Sequence, residues 1–114
     1  MNNKIETLIM ADEYVYNLKN GISVIVEKFE NDDTNEGYKL IEVMCEGIEW
    51  LVKSIELTKD IHKVNISIDG IIDTLKEVLE AIENQDNMLI ADKLNYELLP
   101  VLEDVQKKIK LTIK

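Results

Sequence analysis

Arginine is absent from the 114 residues, and cysteine, proline, histidine and tryptophan each occur once. Each scarcity closes off a class of function. Without arginine the chain lacks the planar fork that grips phosphate, carboxylate and guanine through two hydrogen bonds. All 13 cationic side chains are lysines against 23 acids, a formal net charge of −10, so polyanions are repelled and nucleic acid is not an expected partner. One cysteine, Cys45, permits no internal disulfide. One histidine, His62, leaves most zinc geometries without ligands, and the Glu-x-x-His pairs of the di-iron bundle proteins are missing because Lys59 stands three residues before it. No apolar run approaches the roughly 18 residues needed to span a bilayer, and the start of the chain has no signal-peptide core. A cytoplasmic location without membrane contact is the expectation. Abundant isoleucine, lysine and asparagine, whose codons are AT-rich, suggest a low-GC bacterial genome.

Turn signals are equally sparse, with one proline and four glycines, and aromatics make up only 5%. Many short strands would need more punctuation. What the chain does have is aliphatic residues at helical spacing. Ile5, Leu8, Ala11, Val15, Leu18, Ile22, Ile25 and Phe29 recur at steps of three and four, one helix face held for seven turns. Asn3 with Glu6, and Asp33 with Glu36, have the spacing of capping boxes. The second segment carries three parallel stripes. Gly37, Ile41, Met44, Ile48, Leu51, Ile55 and Thr58 form the core stripe; Leu40, Val43, Gly47, Trp50, Ser54 and Leu57 form a second apolar one; the third is wholly charged. After "KDIHKVN" the rhythm resumes in Ile68, Ile71, Leu75, Val78 and Ile82. The break "NQDN" leads to Ala91, Leu94, Leu98, Val101 and Val105, with Ile109 one step late.

These patterns predict an all-α single domain over 1–114, an antiparallel up-down-up-down four-helix bundle with helices near 3–30, 34–59, 65–84 and 87–112. Pro100 falls within the last of these, in line with the solvated positions Lys93, Glu97, Asp104 and Lys107. Leu99 would be a poor cap for a new helix, so the expectation is one helix that continues through Pro100 and is kinked there.

Chemistry is hard to find. Glu27-x-x-Glu30 and Glu46-x-x-Glu49 imitate the Mg²⁺-binding pairs of all-helical nucleotide pyrophosphohydrolases, the enzyme alternative. Glu46 and Glu49, however, sit on the charged stripe, where they cannot converge on a buried metal. Cys45 has Glu42, Glu46 and Glu49 nearby, which raise a thiol pKa rather than activate it. The four glycines are isolated and form no phosphate loop; close helix packing is their expected role. Tyr14, Tyr16, Tyr38 and Tyr96 are expected at the core edge with hydroxyls in water, and His62 in a solvated loop. No catalytic, cofactor-binding or metal residue is assigned, and no cofactor is expected. The second stripe of helix 2 remains. Leu40, Val43, Gly47, Trp50, Ser54 and Leu57 either pack inside the bundle or form a partner surface, with Gly47 and Ser54 leaving room beside Trp50 for an incoming side chain. The partner would be a second copy, giving a homodimer, or an amphipathic helix laid in a groove.

"EGIEWLVKSIELT" (46–58) and "DKLNYELLPVLEDV" (92–105) resemble segments of small, uncharacterised, acidic helical proteins of low-GC bacteria. The resemblance implies no particular activity. In architecture alone the chain is similar to flagellar and type III export chaperones, acidic bundles that bind amphipathic segments. A non-catalytic protein-interaction module is the leading expectation, and the chaperone-like binder is its alternative.

Overall fold

The computed structural model describes residues 3–114, and those residues form helices without strands. Helix α1 spans Asn3–Glu30, α2 Thr34–Leu57, α3 Asp69–Glu83, α4 Asn87–Lys93 and α5 Leu99–Ile113. A 3₁₀ turn, Lys59–Ile61, follows α2, and a π-helical turn, Leu94–Leu98, joins α4 to α5 without a break, making one long last helix. The four helical units pack against one another. Lys4 near the start of α1 pairs with Asp60 just past α2 at 2.7 Å, while Phe29 at the far end of α1 lies against Gly37 at the start of α2. Lys110 of α5 pairs with Asp12 of α1 at 3.0 Å, and Lys93 joins Glu77 of α3 to the last helix. Helix α1 touches α2, α4 and α5, whereas α3 rests on the last helix; no comparably close approach joins α2 to α3.

The core is aliphatic and continuous. Leu8, Ile22, Leu51, Ile71, Leu98 and Leu102 are among its fully enclosed members. Burying a side chain of that size stabilises the fold by about 1.5–3 kcal/mol. The core stripes expected for α1 and α2 are buried apart from Ile5, which is half-buried.

Elsewhere the sequence reading needs correction. Helix α2 ends at Leu57, not 59. Thr58 takes a non-helical conformation, and its hydroxyl bonds the carbonyls of Ser54 (2.8 Å) and Ile55 (3.2 Å), satisfying last-turn acceptors that a longer helix would have used. Asp33 makes no capping hydrogen bond and lies 3.8 Å from Lys28 instead. Helix α3 starts at Asp69 rather than 65, because the Ser67 hydroxyl accepts from the Asp69 N–H and ties the preceding segment into a turn. Ile66 is buried all the same, closing that end of the core from a loop. The buried face of α3 is Ile71, Thr74, Val78 and Ala81, with Ile68, Leu75 and Ile82 only half-buried, so the helix is rotated toward the last helix relative to the expected stripe. Asp86 caps α4, accepting from the Leu89 N–H at 3.1 Å.

At Pro100 the helix continues, and the accommodation is a phase slip. In the π turn the Leu99 N–H donates to the Leu94 carbonyl, five residues back. One extra residue in the turn advances everything after it by about 100°. The core face therefore runs Leu94, Leu98, then Leu102, Val105 and Ile109, while Val101, expected in the core, is half-buried. The late position of Ile109 was the trace of this slip in the sequence.

Candidate functional site

The second stripe of α2 divides in the structure. Gly47 and Ser54 are buried and Leu40 is half-buried, whereas Val43 is 61%, Trp50 37% and Leu57 71% exposed. Gly47 and Ser54 therefore offer no contact surface, which corrects the expected set. The space over Gly47 is filled by Tyr14 of α1: a Cβ there would collide with the phenol, whose ring carbons would lie at 2.8 and 2.9 Å. Ser54 turns its hydroxyl back to the Trp50 carbonyl at 2.9 Å. The Tyr14 ring then meets the indole of Trp50 edge to face, centroids 5.2 Å apart and planes at 72°. Such a pair contributes about 0.5–1.5 kcal/mol beyond its area. Trp50 is thus held in one orientation with part of its surface in water.

Val43, Trp50 and Leu57 are spaced by seven residues. On α1, Met10, Asn17 and Val24 repeat the same interval and all three are exposed, Met10 and Asn17 on the α2 side. Asn17 and Val43 line one stretch of the groove, and Met10 and Trp50 the next. Two antiparallel ridges at heptad spacing, with a trough between them, are what a further helix meets when it joins a bundle. The trough is open beside Gly21, where a Cβ would find nothing within 4 Å. There a cavity of about 150 Å³ opens over Leu18, Ile22, Ile25 and Met44. Gly21 is a gap in the surface rather than the packing position expected of it. Sequence reasoning missed the α1 half of this face, although the interval Met10, Asn17, Val24 was there to be read.

The other expected residues are more ordinary. Cys45 is half-buried, and burial followed by the charge of Glu42 pushes its thiol above the usual value. His62 is not a freely solvated loop residue: its Nε2 lies 2.9 Å from the Thr58 hydroxyl, and burial holds the imidazole below its usual pKa. It lines a cavity of about 360 Å³ with Lys59, Asn65, Ser67 and Asp69. Tyr38 packs edge to face on Phe29 and donates to Asn87 Oδ1 at 2.9 Å, while Tyr16 and Tyr96 are exposed. Glu27, Glu30, Glu46 and Glu49 are all exposed. Among the described residues no group of three His, Cys, Asp or Glu side chains is placed to hold a metal ion, and no helix is long and apolar enough to cross a membrane.

Fold and face together define an all-helical domain with an open, partly apolar groove between two of its helices. The chain belongs to the DUF8042 family, a domain of unknown function, which it matches over residues 6–108. No curated protein and no solved structure matches it.

Proposed function

We propose that the protein is a non-catalytic interaction module that takes an amphipathic helix of a protein partner into the α1/α2 groove. The observation that carries this reading is the groove lined by Met10 and Asn17 of α1 and by Val43 and Trp50 of α2, open over Gly21, with exposed Val24 and Leu57 continuing the heptad interval on each helix. An aromatic anchor already fixed by Tyr14 loses little side-chain entropy on binding, which is what makes tryptophan effective at interfaces. The export-chaperone-like alternative is a special form of this mode, in which the bound helix belongs to a cargo. A single, half-buried thiol and the absence of arginine favour a cytoplasmic setting and disfavour nucleic acid as partner.

A photo-crosslinking residue at 43 or 57 tests the reading in cells of the native host. Adducts of defined mass from those positions, and none from a control at Asp73 on α3, are expected. Equal labelling at all three positions, or none at any, would refute it.

A further inference from the structure

Away from the groove, the two ends of this elongated molecule (47 × 20 × 18 Å) differ in charge. At one end, where the α1–α2 turn meets the start of α4, a cavity of about 530 Å³ has an apolar floor of Phe29, Met88 and Ala91 and a rim of Glu30, Asp32 and Asp92. Met88 is 77% exposed, and among the described residues none of the three rim acids has a lysine partner, while nearby Asp33 is paired to Lys28. At the other end, the last exposed face of α5 reads Lys107, Leu111 and Lys114 at steps of four and three, with Leu111 49% exposed. The loop after α2 adds Lys63, whose ammonium donates to the Lys114 carbonyl at 2.9 Å. One end is an apolar depression ringed by carboxylates, and the other an apolar knob flanked by ammonium groups.

From this complementarity we infer that the acidic-end cavity receives the basic end of α5 from a second copy of the chain. Leu111 enters against Met88 and Phe29, while Lys107 and Lys114 meet Glu30, Asp32 and Asp92. The contact is heterologous, since each copy gives one end and receives at the other. The net charge of −10 opposes any side-by-side approach of two copies, and end-to-end meeting is the arrangement that brings opposite charges together. At 0.1 M salt the screening length is about 10 Å, so repulsion along the 47 Å axis is damped while the touching ends still attract.

Sedimentation velocity on the purified full chain tests this without reference to the α1/α2 groove. The weight-average mass is expected to rise with concentration above the 13.2 kDa of one chain at 0.1 M salt, and to return to it at 1 M. The double variants Glu30→Lys/Asp92→Lys, with the acceptor reversed, and Lys107→Glu/Lys114→Glu, with the donor reversed, each stay monomeric alone. Mixed, they associate again, because the intact donor of one variant meets the intact acceptor of the other and the two reversed ends also carry opposite charges. All four positions are exposed or at the rim, and unchanged circular dichroism confirms folding. A wild type that is monomeric at every concentration, a reversed variant that still self-associates, or a mixture that stays monomeric overturns the inference. So does association that Val43→Asp abolishes while the end variants leave it intact.

Discussion

Replacing Gly47 with alanine sets two effects of known size against each other. Alanine in a helix interior is favoured over glycine by about 1 kcal/mol. At Gly47, however, the new methyl would sit 2.8 Å from the Tyr14 Cζ, closer than real Cβ contacts come. Tyr14 must swing away, at an overpacking cost of about 1–3 kcal/mol. Its edge-to-face contact with Trp50 goes with it, another ~0.5–1.5 kcal/mol. The balance is a loss of about 0.5–3.5 kcal/mol, and at this chain length each kcal/mol moves Tm by about 4 °C. Gly21→Ala supplies the control. It has the same propensity gain and no neighbour within 4 Å, so it stabilises by ~1 kcal/mol. In a Tyr14→Ala background the collision is gone, and Gly47→Ala becomes stabilising by a similar amount. Urea melts of the four proteins of the 14/47 cycle, with Gly21→Ala alongside, give the signs directly. If Gly47→Ala stabilises the wild type, or stays destabilising without Tyr14, the packing argument is wrong.

Asp32 and Gln85 hold the left-handed conformation, at φ 61° and 54°, where their helices turn back. Glycine at either site should stabilise by about 1 kcal/mol, more at 85 than at 32 because aspartate tolerates that region better, as denaturant midpoints will show. His62 has a depressed pKa in the fold, so the unfolded chain binds the proton more readily. Its stability contribution is therefore intact above the ordinary value of 6.5 and falls as pH drops through the lower folded value; His62→Gln should flatten that part of a Tm-versus-pH curve. Cys45, with its pKa raised by burial and Glu42, should react with an aromatic disulfide at pH 8 much more slowly in the folded than in the unfolded protein. Trp50 emission in dilute protein should be partly red-shifted and quenchable by acrylamide, and Val43→Asp should leave it unchanged unless a partner is bound.

The helices were legible in the sequence because steps of three and four are a direct image of one buried face. Where the reading slipped, the deciding contact lay outside the local pattern. The apolar rhythm that resumes at Ile68 suggests a helix from 65, yet Ile66 is buried from a loop and the turn is made by Ser67. The π turn left only a one-residue delay at Ile109, which spacing alone cannot assign to a particular peptide. Of the candidate face, the α2 half was readable as a second stripe, but its division was not. Burial of Gly47 depends on a tyrosine 33 positions earlier in the chain, and no periodicity within α2 records that. The Asp12–Gln106–Lys110 link between α1 and α5, with Gln106 Nε2 donating to the Asp12 carbonyl at 3.2 Å, went unread for the same reason.

Hydroxyl-radical footprinting of Met10 and Trp50 in native-host extract, against the purified dilute protein, tests the role of the α1/α2 face most directly. Tyr96, exposed on the last helix, serves as the internal reference. Occupation of the groove predicts strong protection of Met10 and Trp50 in the extract while Tyr96 oxidises equally in both. Equal oxidation of all three residues in the two samples would contradict it.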